Sequence, residues 1–183
     1  RDRRNETWVS TDRGLYRFGA STTLANLAHV RPAARYAAPE GLPTGDVMVA
    51  FEDSRGDIWI GTKAPTTIAV LRRASNQIQV VSQGSGLPAL TIPSAFGEDR
   101  AGNIWIGFRD GGLIRYRDGH LEHFSESRGF PRGEVLALFF DHLGRLWIAD
   151  GVGALVRVDD PAAEMPSFTR YTTADGLASD IVR

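Results

Sequence analysis

Short segments in which apolar and polar residues alternate recur along the chain, and each is bounded by Gly, Asp or Pro. Alternation with a period of two is typical of strands that bury one face. In the clearest group, the pattern predicts four strands, at residues 92–98, 103–108, 113–116 and 120–124. Residues 117–119 (Arg-Asp-Gly) predict a tight hairpin, and only the Ala-rich stretch 22–38 has a weak helical periodicity. The pattern therefore predicts antiparallel meanders of four short strands.

One residue pattern returns in the second strand of each meander and gives the segments a common register. Its centre is a tryptophan that recurs at intervals of 51, 46 and 42 residues: Trp8, Trp59, Trp105 and Trp147. Six residues before each tryptophan stands an aspartate: Asp2, Asp53, Asp99 and Asp141. Three residues before it stands a glycine, or Asn5 in the first copy: Gly56, Gly102 and Gly144. A repeat of about 40 to 50 residues is typical of propeller blades.

The repeat predicts an all-β chain, a β-propeller fragment of about four four-stranded antiparallel blades. Residues 1–183 are interpreted as a single propeller segment with these units: 1–40 (partial), 41–85, 86–128, 129–175 and 176–183, the last being the first strand of a further unit. Because the chain begins without Met and Asp2 already holds the aspartate position, we expect a segment of a longer array. An open arc is the favoured arrangement. The alternative is a closed four-bladed propeller, in which residues 176–183 supply the strand that the first unit lacks.

The tryptophans and aspartates of the repeat are interpreted as structural residues. Stacked sheets would bury each tryptophan against the next blade, which at about 150 to 250 Å² per side chain corresponds to roughly 4 to 6 kcal/mol gross. An aspartate that opens a turn closed by glycine can accept backbone N–H bonds. Ligand stacking on the tryptophans and calcium binding by the turns are the alternatives. The sequence predicts neither a metal nor a cofactor.

Composition narrows the class of partner. The net charge is -1, so the basic surface of a nucleic-acid binder is not expected. The absence of Cys excludes disulfides, thiolate catalysis and Cys-ligated zinc. No segment reaches the roughly 18 apolar residues that a membrane-spanning helix requires. The segment itself is therefore expected to make no contact with a membrane.

Two of the units share a longer sequence. Residues 52–61 and 98–107 both read Glu-Asp-x-x-Gly-x-Ile-Trp-Ile-Gly. Residues 41–43 (Gly-Leu-Pro) precede the first of them, and residues 111–116 (Gly-Gly-Leu-Ile-Arg-Tyr) follow the second. These segments resemble the two-component regulator propeller repeat, and the same register extends the resemblance over essentially the whole chain.

The resemblance implies a ligand-sensing region outside the cytoplasm. Repeats of this family build periplasmic propellers that precede a membrane helix and a cytoplasmic output domain, such as a histidine kinase or a diguanylate cyclase. The implied partners are a small-molecule ligand, often a carbohydrate, and the remaining blades and output domain of the same protein, with a homodimer as a further option. The implied location is the periplasmic part of a bacterial inner-membrane receptor. The family motif transfers no catalytic residue, so this segment is expected not to be an enzyme.

A binding site is expected in the loops at the strand ends opposite the Asp-Gly turns, because a rigid scaffold presents variable loops there. The candidates are charged residues of those loops: Lys63, Asp150, Arg109, Asp110, Arg13 and Arg132. Lys63 and Asp150 are preferred because residues 63–67 and 149–150 depart from the Gly-Gly and Gly-Thr of the family pattern. An arginine here could form the bidentate bond that a carboxylate or sugar acid needs. Each candidate could equally be an ordinary solvated loop charge.

Two other classes of function stay open. Streptogramin lyases are propellers with similar Gly-x-(aliphatic)-Trp blades that depend on His and acidic groups lining the channel. His120 and His123 are three residues apart on a predicted strand, so they point to opposite faces and cannot chelate one metal together. His142 lies in an Asp-Gly turn, and His29 lies in the Ala-rich stretch.

A protein-interaction scaffold is the other class. Its contact surfaces would be the two stretches that lengthen their units, at residues 22–38 and 159–168.

Overall fold

The described strands form four antiparallel sheets, in which each strand pairs with the next one along the sequence. The computed structural model describes residues 1–82, 87, 91–131, 133–151 and 153–179. Within these residues one sheet has three strands and the other three have four. The prediction of an all-β chain built from four-stranded antiparallel meanders is confirmed.

The strands follow one another sheet by sheet. The first sheet contains β1 (Thr7–Thr11), β2 (Gly14–Phe18) and β3 (Ala34–Tyr36). The second contains β4 (Val47–Glu52), β5 (Ile58–Thr62), β6 (Thr67–Arg72) and β7 (Gln77–Val80). The third contains β8 (Pro93–Glu98), β9 (Ile104–Phe108), β10 (Leu113–Arg117) and β11 (His120–Phe124). The fourth contains β12 (Val135–Phe140), β13 (Leu146–Asp150), β14 (Ala154–Val158) and β15 (Thr169–Tyr171).

The third sheet agrees with its predicted strands to within one residue at every end. Its predicted hairpin is also present, because Arg117 pairs with His120 across a two-residue turn. Asp118 and Gly119 form that turn with φ angles of 50° and 86°. Two positive φ angles are the signature of the type I′ turn, whose twist matches that of the flanking strands.

The Ala-rich stretch 22–38 does not form an α-helix. It contains a three-residue 3₁₀ turn, Leu27–His29, and then strand β3. Pro32 lies between the two and lacks the N–H that a continuing helix would need. The remaining 3₁₀ turns that the structure describes are Ala38–Glu40, Glu126–Arg128 and Thr173–Asp175. Across the described residues, no helix has the length and apolar character needed to cross a bilayer.

The chain divides into two compact units, an N-terminal unit (Arg1–Leu90) and a C-terminal unit (Thr91–Arg183). In the N-terminal unit the first two sheets share a core of buried side chains: Leu15, Tyr36, Leu42, Val47, Ile58, Ile60, Ala69 and Leu71. In the C-terminal unit the third and fourth sheets share another: Ala95, Trp105, Leu113, Phe124, Phe130, Val135, Leu146, Ile148, Val156 and Val158.

The tryptophans mark equivalent strands in the four sheets. In the second, third and fourth sheets the tryptophan lies on the second strand, opposite a residue of the first strand. The pairs are Phe51 with Trp59, Gly97 with Trp105, and Phe139 with Trp147. In the first sheet, Trp8 lies on β1, which is the edge strand of that sheet. The first sheet is thus a blade whose described residues begin at its second strand.

Candidate functional site at the loop ends of the sheets

Each sheet has two ends that differ in sequence and in chemistry. We call the end with the Asp-x-x-Gly turn, which precedes the tryptophan strand, the turn end. We call the opposite end the loop end, because it carries the connection that follows the tryptophan strand and the segment that leads into the next sheet. The sequence places the candidate ligand-binding residues at the loop ends.

The turn end of the third sheet is organised by the Asp99 carboxylate, which is 6% exposed. Its Oδ1 accepts the backbone N–H groups of Ala101 at 2.9 Å and Asn103 at 3.0 Å. Its Oδ2 accepts the Asn103 side-chain amide at 2.8 Å and the Trp105 indole N–H at 3.0 Å. Gly102 closes the turn at a φ of 83°, in the region that favours glycine. The carboxylate therefore ties the turn to the strand that follows it.

The other three turn ends repeat this arrangement. One oxygen of each aspartate accepts backbone N–H groups two and four residues later. The other accepts the tryptophan indole, at 2.8 Å for Asp2 and Trp8, 3.0 Å for Asp53 and Trp59, and 2.9 Å for Asp141 and Trp147. Asn5 replaces the turn glycine with a φ of 64°. The six-residue spacing of Asp and Trp thus has a physical cause, which the sequence pattern alone did not reveal.

Hydrogen bonding at the turn ends lowers the pKa of two of these carboxyls. At Asp141 the hydrogen bond from the Trp147 indole is the largest cause, and with that from Arg145 it outweighs burial and holds the pKa well below its usual range. At Asp2 burial alone would raise the pKa, but the hydrogen bonds from Trp8 and Arg73 outweigh it and lower the pKa. Both carboxyls are therefore ionised near neutral pH.

At the loop end of the N-terminal unit, the structure places Arg13 and Lys63 beside one connecting segment, residues 44–46. Both side chains are exposed. The backbone N–H of Lys63 donates to the Asp46 carbonyl at 2.9 Å. A Cβ added at Gly45 would come within 3.0 Å of the Arg13 carbonyl carbon, so that segment lies directly against the Arg13 backbone. Two exposed cations therefore border the same loop.

At the loop end of the C-terminal unit, Arg109 and Asp110 lie in the connection between β9 and β10. Both are exposed. Arg109 donates its backbone N–H to the Ile92 carbonyl at 2.8 Å, and the Asp110 carboxylate accepts the Ile92 N–H at 3.0 Å. The Arg109 Nε lies 3.4 Å from Oε1 of Glu134. Asp110 thus orders the segment before β8, while Arg109 forms an exposed ion pair.

Asp150 ends β13 and is 2% exposed. Gly133 lies against its carboxylate, because a Cβ at that position would stand 1.9 Å from Oδ1. Beside Gly133, the backbone carbonyl of Glu134 accepts the backbone N–H of Gly151 at 2.8 Å. Only glycine permits so close an approach of backbone to carboxylate. The sixth candidate, Arg132, lies outside the described residues.

The loop ends offer charge and hydrogen bonding but few groups suited to catalysis. Arg13 and Lys63 can attract a carboxylate or donate hydrogen bonds to hydroxyl oxygens. In the Arg109–Glu134 pair, the guanidinium can donate to a hydroxyl group and the carboxylate can accept from one. Within the described parts of the chain, no cluster of three or more acidic or imidazole groups could hold a metal ion. The histidines lie elsewhere: His29 in a 3₁₀ turn, His120 and His123 on β11, and His142 in the turn of the fourth sheet.

A buried arginine in the middle of the third sheet was not predicted from the sequence. Arg115 on β10 is fully buried, and it donates to three carbonyls of the stretch 159–168: Pro161 at 2.6 Å, Ala163 at 2.6 Å and Glu164 at 3.3 Å. Its Nε donates to Glu122 at 2.7 Å. Its guanidinium also lies 5.4 Å from the centre of the Trp105 ring. The only sequence signal was a charged residue directly opposite a repeat tryptophan.

The two stretches that were predicted as contact surfaces of a scaffold carry exposed apolar side chains. Leu24, in 22–38, is 83% exposed, and Met165, in 159–168, is 88% exposed. Arg115 holds the second stretch in place from within the same unit. Their role in binding a partner stays a prediction.

Residues 41–64 match the sequence profile of the two component regulator propeller family. This span is similar to one repeat of that family. The matched span runs from the Gly-Leu-Pro segment through β4, the Asp53 turn and β5, so the resemblance seen in the sequence is confirmed. Among curated proteins, none matches the chain in sequence.

Several solved structures have a similar fold. The extracellular domain of a hybrid two component system from B. thetaiotaomicron superposes with a TM-score of 0.71 at 17% identity, covering 96% of this chain and 23% of that one. Virginiamycin B lyase from Staphylococcus aureus superposes with a TM-score of 0.67 at 18% identity, covering 91% and 52%. PorZ, a surface component of the type-IX secretion system of Porphyromonas gingivalis, superposes with a TM-score of 0.68 at 14% identity, covering 96% and 27%.

These likenesses establish the fold. The chain spans less than a quarter of the two component extracellular domain and about half of the lyase. Together with the repeat at residues 41–64, they confirm the prediction of a β-propeller fragment.

Proposed function

We propose that the chain forms part of the extracytoplasmic propeller sensor of a two component or related receptor, and that it binds a small ligand without catalysing a reaction. The observation that carries the proposal is the family repeat at residues 41–64, whose Asp–Trp hydrogen bond recurs in all four sheets. The extracellular domain of a two component system shares this fold. The remaining blades and an output domain, such as a histidine kinase, would belong to the same protein, on the periplasmic and cytoplasmic sides of the inner membrane.

The loop ends are the proposed ligand-binding surfaces. Arg13 and Lys63 are exposed cations beside one loop, and Arg109 pairs with Glu134 at the surface. Such groups suit a polyhydroxylated or carboxylated ligand, for which a sugar or sugar acid is the simplest model. A ligand that bridges loops of the two sheets within one unit would favour one packing of those sheets, and this population shift is the signal that an output domain could read.

The test is a thermal-shift screen of the chain against neutral sugars and sugar acids. We expect at least one compound to raise the unfolding temperature, since a ligand that binds only the folded state stabilises it by mass action. For a ligand at the loop end of the N-terminal unit, Lys63→Ala should then reduce the shift, and for a ligand at the loop end of the C-terminal unit, Arg109→Ala should reduce it. Asp150→Asn tests the third candidate while keeping a side chain of nearly the same size beside Gly133.

The matched control is Arg4→Ala, which removes an exposed cation from a turn end. We expect this variant to keep the full ligand shift. If the Lys63, Arg109 and Asp150 variants all keep the wild-type shift, the loop ends are not the site. If no sugar or sugar acid binds, the ligand class is wrong.

A lyase reaction is the alternative that the comparison with virginiamycin B lyase raises. That enzyme has a catalytically inactive variant in which a histidine is replaced by alanine. The described histidines of this chain lie on β11, in a 3₁₀ turn and at a turn end, and none belongs to the connections that carry Lys63, Arg109 and Asp110. Incubation with a streptogramin B antibiotic should therefore leave its retention time and its fragmentation pattern in mass spectrometry unchanged, and ring opening to a linear isomer of the same mass would favour the lyase.

A further inference from the structure

At the loop end of the N-terminal unit, three cationic side chains lack the ion pairs that other arginines form. Arg13, Arg35 and Lys63 are exposed, and none of them pairs with a carboxylate among the residues that the structure describes. Other arginines of the same unit each pair with a carboxylate: Arg17, Arg72 and Arg73. The three cations are therefore available to a charged ligand.

Arg35 on β3 was not among the predicted binding residues, and its guanidinium is held in place. Its Nε and Nη2 donate to the Arg13 carbonyl oxygen at 2.9 and 2.7 Å, and its central carbon lies 5.9 Å from the centre of the Tyr16 ring. An arginine has five N–H donors, so three remain for a ligand. A mobile surface charge loses side-chain freedom when it binds, whereas a fixed guanidinium has already lost much of it.

The Arg13 carbonyl also lies where the connections of the two sheets meet. A Cβ added at Gly45, in the segment that leads into β4, would stand 3.3 Å from its oxygen. The next residue, Asp46, accepts the backbone N–H of Lys63 at its carbonyl, at 2.9 Å. Consecutive Cα atoms are about 3.8 Å apart, so Arg13 and Lys63 are held at neighbouring positions of one short segment. The three cations thus border the same stretch of backbone, residues 44–46.

Two carboxylates belong to the same connections, that of Asp12 in the hairpin between β1 and β2 and that of Asp46. Within the described chain, neither forms an ion pair with the three cations. This loop end therefore carries three formal positive charges and two negative ones, in a chain whose net charge is -1.

The described side chains at the loop end of the C-terminal unit have the opposite balance. Arg109 is paired with Glu134, and Asp110 and Asp150 add two further carboxylates. An anionic group would approach three carboxylates there, and contacts between like charges oppose binding. The loop end of the N-terminal unit is thus the better match for an anion.

We infer that the loop end of the N-terminal unit binds an anionic sugar, whose carboxylate or sulfate group is held by Arg13, Arg35 and Lys63. This inference rests on the proposed function and narrows its ligand class. A guanidinium fork matches two oxygens of such a group, and the lysine adds a point charge. The carboxylates of Asp12 and Asp46 can accept hydrogen bonds from the sugar hydroxyl groups.

The test is titration of the isotopically labelled chain with glucuronic acid, glucose 6-sulfate and neutral glucose, followed by NMR chemical shifts at constant ionic strength. Saturable shifts are expected at residues 12–14, 35, 44–46 and 63 with at least one anionic sugar, and glucose should bind about tenfold more weakly. Arg35→Gln, which keeps a polar side chain but removes the charge, should weaken binding of the anionic sugar about tenfold. Lys63→Gln should also weaken binding, and it keeps the test valid if the Arg35 variant fails to fold.

Arg4→Gln is the matched control, because it makes the same change in an exposed arginine at the turn end of the first sheet. It should bind the anionic sugar as the wild type does. Equal affinity for glucose and the anionic sugars, or shifts confined to the loop end that carries Arg109, would overturn the inference and leave the proposed sensor function standing. If inorganic sulfate binds as tightly as glucose 6-sulfate, the site recognises a free anion and the sugar assignment is wrong. If no sugar binds at either loop end, the inference and the proposed ligand class both fail.

Discussion

The turn ends and the loop ends of the third and fourth sheets place charge in contrasting surroundings. At the turn end of the third sheet, the Asp99 carboxylate is 6% exposed and receives four hydrogen bonds from its own turn and Trp105. At the loop end of the same sheets, Arg109 and Glu134 approach to 3.4 Å with side chains that are 57% and 34% exposed. The first charge is enclosed by protein, and the second remains in contact with solvent.

The two kinds of end also differ in how closely they resemble one another from sheet to sheet. The turn ends keep one hydrogen-bond geometry in four copies, because every blade needs the same link between its turn and its tryptophan strand. The loop ends differ from copy to copy, with Lys63 in one connection, Arg109 and Asp110 in another and Asp150 in a third. Residues that the fold does not constrain are free to serve recognition. Stability should therefore depend on the turn ends, and ligand binding on the loop ends.

Asp99→Ala should produce the largest loss of stability. It leaves the N–H groups of Ala101, Asn103 and Trp105 without their acceptor, and those of the buried Asn103 and Trp105 cost about 1 to 3 kcal/mol each. We expect the free energy of unfolding to fall by about 3 to 5 kcal/mol. Chemical denaturation followed by tryptophan fluorescence measures this change.

Asp99→Asn separates charge from shape. It keeps one acceptor oxygen but turns an N–H donor toward another donor, so its loss of stability should lie between those of the wild type and Asp99→Ala. A loss below about 1 kcal/mol for the alanine variant would show that the turn end does not carry the role assigned to it.

Arg115→Met should come next. The change keeps much of the apolar bulk against Trp105 but removes the donors to the stretch 159–168 and leaves Glu122 unpaired. Breaking a buried ion pair costs about 3 to 5 kcal/mol, and because Glu122 is partly exposed we expect about 2 to 3 kcal/mol. Hydrogen exchange should accelerate within 159–168 and stay unchanged at the Asp99 turn. If hydrogen exchange within 159–168 is the same in Arg115→Met and in the wild type, Arg115 does not anchor this stretch.

Much of the architecture could be predicted from the sequence because it depends on local patterns. The alternation of apolar and polar residues predicted the strands of the third sheet to within one residue, and the Asp118-Gly119 pair predicted its hairpin. The positive φ of Asn5 also follows from its place in the turn pattern. These features need only neighbouring residues for their explanation.

What was missed depends on residues that are distant in the sequence. Arg115 reaches carbonyls 46 to 49 residues away, so a charged residue on a strand could not be recognised as buried. The approach of Gly133 to Asp150 likewise needs the packing of a loop on a strand end. The binding residues themselves stay predictions, because a solvated loop charge and a ligand contact have the same sequence signal.

Acid should weaken the fold through the turn ends. The pKa values of Asp2 and Asp141 are lowered in the folded state. As the pH falls through the ordinary aspartate pKa of about 4, these two groups therefore bind protons more readily in the unfolded chain than in the folded one. The stabilisation is complete above that pH and is lost progressively as the pH falls below it. We expect the unfolding temperature to be nearly constant from about pH 7 to 5 and to drop below about pH 4. Asp141→Asn should flatten this drop, and an unchanged profile would contradict the contribution of Asp141.

Arg109→Ala should have the smallest effect on stability and so provides the sharpest contrast with Asp99. The Arg109–Glu134 pair is largely exposed, and exposed pairs contribute about 0 to 1 kcal/mol. The backbone bond from Arg109 to Ile92 survives the substitution, so the loop should keep its position. We expect the free energy of unfolding to change by less than about 0.5 kcal/mol in the denaturation experiment used for Asp99→Ala. A loss comparable with that of Asp99→Ala would mean that charge at the loop ends holds the fold as it does at the turn ends, and the contrast between the two ends would fail.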